Sequence, residues 1–216
     1  MSVDTSIIPA IKEAIRANEL GAVSPYCLAF ARLGSSGASF GIFQGDTNES
    51  DSARSTLRAA LAAAGHADDR VDQLMSLLCR PCPHGNPLSA DQTTLVNGAL
   101  AAASGRDLVD RMDDGMLQVV LGHLDSSLEA AAERRRTVAP EAQLYIALWC
   151  NMTGAPNTLN AWLRGSTEMG VPSPAGPEVS AAEIQTYLQA CEFFRDHPQN
   201  FRHMQQSVQA AVPKLP

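Results

Sequence analysis

The chain has 216 residues, long for one ordinary domain and short for two, so a single domain with two lobes about a cleft is the expectation. Its 45% hydrophobic content supplies a normal core, and 18% charged residues in no biased tract exclude a disordered chain. The 16 Lys and Arg against 23 Asp and Glu leave a net charge of −7, which excludes a nucleic-acid binder, since that needs a basic face to displace phosphate counterions.

Ile8, Ile11 and Ile15 recur at helical spacing behind candidate caps at Asp4, Thr5 and Ser6. Pro9 is tolerated in a first turn and Gly21 suits the position just past a helix, so the first helix is expected over about 7–20. From Ser24 the period changes. Tyr26, Leu28 and Phe30 alternate after Pro25, Gly34-Ser35-Ser36-Gly37 reads as a turn, and Ser39-Phe40-Gly41-Ile42-Phe43-Gln44 reads as a short strand. This is the one β region expected.

The remainder reads as helix. Ala53, Leu57, Ala60, Leu61 and Ala64 form a stripe that stops at Gly65, and Val71, Leu74, Met75 and Leu78 form another that ends by Pro81. Ser89-Ala90-Asp91-Gln92 is a capping box. Met116, Val119, Val120, Leu124 and Leu128 line a long helix, with Arg134–Arg136 as its solvated basic end. Leu144, Tyr145, Ile146, Leu148 and Trp149 suit a buried central helix, and Gly165–Pro177 is a loop. A second capping box, Ser180-Ala181-Ala182-Glu183, opens a C-terminal helix with Ile184, Leu188, Cys191 and Phe194 inward.

No run of about 18 apolar residues occurs, so no membrane span is expected. The N-terminal MSVDTSIIPAIKEAIRANE has neither a basic start nor a long apolar stretch, so no secretory signal is expected. The five cysteines, Cys27, Cys79, Cys82, Cys150 and Cys191, are read as free thiols. Cys79 and Cys82 with His84 have the spacing of half a zinc site, but no second Cys/His pair completes it. No metal and no cofactor are expected.

Two features carry candidate chemistry. Glu19 lies four residues after Ile15 and hence within about 40° of the isoleucine stripe, on the core side of the helix's last turn. Burial and the negative helix end both favour a protonated carboxyl there, which a general acid requires. Glu13 falls on the opposite, wet face. In a continuous strand, Phe40, Ile42, Gln44 and Asp46 share one face, so Gln44 and Asp46 project together; the bland alternative makes Asp46 the cap of the following helix, a job Asn48 or Ser50 can also do.

A helix ending in Glu, then a Gly/Ser turn and the run Ser39-Phe40-Gly41-Ile42-Phe43-Gln44-Gly45-Asp46, resembles the lysozyme superfamily over roughly residues 7–50. Animal-type lysozymes and soluble lytic transglycosylases carry an aromatic- or Leu-Gly-Ile/Leu-Met/Phe-Gln hairpin after a helix-terminal Glu. Phage-type lysozymes and family-46 chitosanases pair that Glu with an Asp on or after the hairpin. Ser39 rather than Asp precedes Phe40, so in this chain the second carboxylate falls to Asp46.

The resemblance implies a mainly α (α+β), lysozyme-like, bilobal helical domain over residues 1–216, with one small β-hairpin in a lobe of about 21–48 and a helical lobe of about 50–216. It implies a glycoside hydrolase cutting β-1,4 linkages of an amino-sugar polymer, foremost peptidoglycan, with Glu19 as general acid and Asp46 as its partner. Gln44, Ser39 and Asn151 are the expected substrate contacts; Asn151 lies in a stretch from Trp149 to Trp162 rich in amides, whose two tryptophans read as core. Chitosanase-like hydrolysis or lytic transglycosylation by Glu19 alone are the variants. A non-catalytic helical interaction module is the alternative of another class. A monomer is expected, made in the cytoplasm and released or exported to reach a cell wall.

Overall fold

The computed structural model describes residues 3–32 and 34–216; Met1 and Ser2, the start of the segment read as lacking a signal, lie outside the described residues. Helix accounts for 63% of the chain and strand for 5%, so the protein is mainly α. It divides into two compact units, one of Glu19–Met116 and one of Met1–Asn18 with Leu117–Pro216.

The unit Glu19–Met116 begins with three short antiparallel strands, β1 (Ala29–Phe30), β2 (Ala38–Phe40) and β3 (Gly45–Asp46), in the order β1-β2-β3. The register pairs Ala29 with Ser39 and Ser39 with Asp46. The single hairpin expected from sequence is thus a three-stranded meander. Helices α2 (Asp51–Ala63), α3 (Asp68–Leu78) and α4 (Ala90–Ala101) follow, with the first part of α5 (Ala103–Ala132). Ser50 caps α2 by accepting from the Ala53 N–H, and Ser89 with Gln92 forms the expected capping box of α4.

The strands do not form a lobe apart from these helices. Ala38 and Phe40 share one cluster with Leu57, Leu61, Leu74, Leu78, Leu100 and Val109. A fully buried aromatic or leucine of this kind is worth about 1.5–3 kcal/mol relative to exposure. A strand of three residues has too few ladder bonds to stand alone, so the helices are what keep the meander in place.

The other unit starts with a 3-10 turn at Thr5–Ile7, capped by Asp4, and α1 (Ile8–Glu19), which buries Ala10, Ile11, Ala14 and Ile15 and whose last residue, Glu19, already belongs to the unit Glu19–Met116. After α5 come β4 (Thr137–Val138), α6 (Pro140–Thr153), α7 (Asn157–Leu163), β5 (Glu178–Val179), α8 (Ala181–Ala190), α9 (Glu192–Asp196) and α10 (Pro198–Ala211). The strands β4 and β5 pair in parallel, a second β element that the sequence reading did not contain.

As expected, α6 is buried over most of its surface, including Leu144, Tyr145, Ile146 and Leu148. Val119 departs from its assigned stripe on α5 and stands 60% exposed; Leu117 and Val120 are the buried positions there. The C-terminal helix also breaks earlier than expected. Cys191, with φ −64° and ψ 137°, separates α8 from α9, so Phe194 reaches the core from a different helix. The basic run is not a plain solvated helix end. The Arg134 Nε donates to the Arg164 carbonyl at 2.5 Å and the Arg136 Nη1 to the Leu163 carbonyl at 3.2 Å, satisfying carbonyls that end α7.

Candidate functional site

Glu19 is the last residue of α1 and is half-buried. Leu20 is buried behind it, and Gly21 takes φ +56°, the left-handed conformation that ends a helix most easily without a Cβ. The sequence placed this terminus within one residue. Glu19 therefore sits at the carbonyl end of α1, the negative end of the helix.

The opposite-face assignment of Glu13 requires correction. Its side chain is 15% exposed, and it accepts from the Arg16 Nη2 at 2.5 Å and the Lys214 Nζ at 2.7 Å. The Arg16 hydrogen bond, opposed by burial and aided by Lys214, holds the Glu13 carboxyl down at about 2. The C-terminal residues supply the cover that helical periodicity within α1 cannot reveal.

The run Ser39–Gln44 is not a continuous strand. β2 ends at Phe40, and Gly41 and Gln44 take φ +81° and +52°, so residues 41–44 form a turn before β3. Gln44 and Asp46 consequently do not share a strand face with Phe40 and Ile42. The Gln44 Nε2 donates back to the Gly41 carbonyl at 3.0 Å, and Gln44 remains half-buried. Ser39 lies in β2 with only 7% exposure, opposite Asp46 in register.

Asp46 neither projects freely nor caps α2. Its carboxylate accepts from the Gly37 N–H at 3.0 and 3.1 Å and from the Asn48 N–H at 2.7 Å, closing the meander on itself. A Cβ at Gly37 would stand 2.9 Å from the Leu78 carbonyl oxygen, so glycine is required for this approach. Beside it, the fully buried Thr47 donates its hydroxyl to the Leu78 carbonyl at 2.6 Å and accepts from the Ala38 N–H at 3.2 Å.

The residue that the sequence did not single out is Asp113. It is 3% exposed on α5, and its carboxylate accepts from the Ile42 N–H at 2.9 Å and the Phe43 N–H at 3.4 Å. A turn whose N–H groups point inward needs an acceptor there. The only signal in the sequence was an Asp beside Met112 on the inner face of a long helix, which reads as an ordinary helix charge until the turn is in place. Three residues earlier, Asp110 accepts from the Tyr26 hydroxyl at 2.8 Å, while the Arg106 guanidinium lies 5.2 Å above the Tyr26 ring. Burial, then Asp110, push the Tyr26 phenol up.

Asn151 is half-buried on α6, in the unit that contains Leu117–Pro216, whereas Glu19, Ser39, Gln44 and Asp46 belong to the unit Glu19–Met116. Trp162 is core, 1% exposed, with its indole N–H on the Pro172 carbonyl at 3.0 Å, and the half-buried Trp149 packs on Phe194. All five cysteines are free thiols. The Cys82 thiol points to the Arg80 carbonyl at 3.3 Å, and burial pushes both Cys79 and Cys82 up. Among the described residues no three His, Cys, Asp or Glu side chains group to hold a metal ion, and no helix is long and apolar enough to cross a membrane.

Neither protein-family models, nor characterised proteins, nor solved structures match this chain.

Proposed function

We propose that the protein is a glycan-cleaving enzyme of the lysozyme-like kind, acting on β-1,4 linkages of an amino-sugar polymer, with Glu19 as general acid. The observation that carries this reading is the position of Glu19: a half-buried residue at the carbonyl end of a helix, in the same compact unit as the meander that follows it. An acid there is kept from full solvation, and the helix end opposes its negative charge, which is what protonation of a leaving oxygen requires. The half-buried Ile42 and Gln44, on the turn held by Asp113, are the sugar contacts in this proposal, and Asn151 is a more distant candidate in sequence.

Peptidoglycan is the leading substrate. Chitosan is the second, because a net charge of −7 favours a polycation over an anionic wall. The engagement of Asp46 with three N–H contacts favours one variant in particular, a lytic transglycosylase that relies on Glu19 alone. A carboxylate that holds its own hairpin is less available to activate water.

The test digests peptidoglycan and chitosan side by side and weighs the products. Hydrolysis adds one water per cut, whereas intramolecular transglycosylation adds none. Glu19→Gln should abolish cleavage of whichever glycan is cut while the protein stays folded. Full activity in Glu19→Gln removes it as the acid, and inertness of the wild type toward both glycans favours the interaction-module reading.

A further inference from the structure

In the unit that contains Leu117–Pro216, α8, α9 and α10 line an open cavity of about 340 Å³, at the small end of the range for ligand pockets. Phe194 and Phe201, both buried and packed edge to face at 5.4 Å, form its apolar side. Arg195, Arg202, Gln189 and Gln205 supply its polar groups, and no Asp or Glu lines it. Neither guanidinium has a hydrogen-bond or ion-pair partner among the described residues.

That arrangement runs against the rest of the molecule. Carboxylates outnumber cations by seven in this chain, yet two arginines and no carboxylate line this cavity. Like charges at one concavity repel, and an anion between them relieves this with charge-assisted, bidentate hydrogen bonds. Gln205 is also held in place. Its Nε2 donates to the Gln185 Oε1 at 2.9 Å, and the Gln185 Nε2 donates to the Tyr145 hydroxyl at 3.1 Å. A fixed amide loses little freedom on binding and discriminates better than a mobile one.

We propose that this cavity binds a small organic carboxylate: Arg195 and Arg202 take the carboxylate, a single-ring apolar body packs on Phe194 and Phe201, and the glutamine amides take its hydroxyl or carbonyl groups. This assignment does not rest on glycan cleavage and holds for an enzyme or an interaction module alike.

The test titrates the full chain at low ionic strength with benzoate, benzyl alcohol and acetate, read by calorimetry and by backbone amide shifts. Benzoate should bind saturably, move the amides of Phe194–Gln205, and bind about tenfold more weakly in Arg195→Gln and in Arg202→Gln. Both arginines are exposed, so the variants should melt with the wild type; Arg195→Lys and Arg202→Lys, which keep charge but lose the fork, should fall between. Benzyl alcohol binding as tightly as benzoate overturns the role of charge. Acetate binding as tightly overturns the role of the ring. No saturable shift with benzoate, or unchanged binding in both Gln variants, overturns the site.

Discussion

Asp113 accepts from the Ile42 N–H at 2.9 Å across 71 residues of sequence and from the Phe43 N–H at 3.4 Å, and these bonds help hold a turn where a strand was expected. The space at this contact is full. A Cβ on Gly41 would stand 2.5 Å from the Asp113 Oδ1 and 2.8 Å from the Met112 Cε, at φ +81°.

Gly41→Ala should therefore cost on the order of 1–3 kcal/mol, from the strained φ and the displaced carboxylate. Asp113→Ala should cost a similar ~1–3 kcal/mol, because it strands two inward N–H groups. The pair should be non-additive in urea unfolding, since either change alone already disrupts the same turn. Strict additivity would show that the two residues do not act on one element.

Asp46 should behave as a hairpin closure before it behaves as anything else. Asp46→Ala removes the acceptor for the Gly37 and Asn48 N–H groups and should lower stability by roughly 1–2 kcal/mol. Asp46→Asn keeps one acceptor oxygen and should lose about half of that. If glycan cleavage is found, turnover of Asp46→Asn per folded molecule decides the chemistry: near-normal turnover supports action by Glu19 alone, and a loss of orders of magnitude restores Asp46 as partner.

The acid limb of stability should carry the signature of Glu13. Its carboxyl is held at about 2 in the folded protein against an ordinary 4.5, with Arg16 as the leading cause. A depressed carboxyl contributes stability that is complete above the unfolded value and is lost as pH falls through the folded one. The contribution should thus be whole above about pH 4.5 and vanish by about pH 2. Glu13→Gln should be less stable than wild type at neutral pH and converge with it at the acid end. Equal stability at pH 7 by thermal melting would falsify this assignment.

The thiols should report how closed the core is. Burial alone pushes Cys150 up to about 12, and burial also raises Cys191. The thiolate is the reactive form, so native protein treated with iodoacetamide near pH 8 should leave both unmodified, and urea should expose them. Mass spectrometry of the labelled peptides reads this directly. Zinc and a chelator should both leave the melting temperature unchanged, since Cys79, Cys82 and His84 have no further ligand grouped with them among the described residues.

Local signals were written plainly in the chain. The Ser89–Gln92 and Ser180–Glu183 capping boxes both form, the first helix stops at Glu19 before Gly21, and the apolar density of α6 marks a buried helix. Each of these depends on neighbours within four residues, where hydrogen-bond reach and side-chain period are fixed by the helix itself. The mainly α character followed from them.

What the tertiary structure decided are the contacts between residues far apart in sequence. Periodicity put Glu13 on a wet face, but Lys214 covers it; alternation put Gln44 and Asp46 on one strand face, but Asp113 bends the chain between them. Val119 matched its stripe and still faces solvent, because a 30-residue helix is covered only where other elements pack on it. Turn N–H groups and buried carboxylates must find partners wherever the fold brings them, and no local pattern encodes which distant residue that will be.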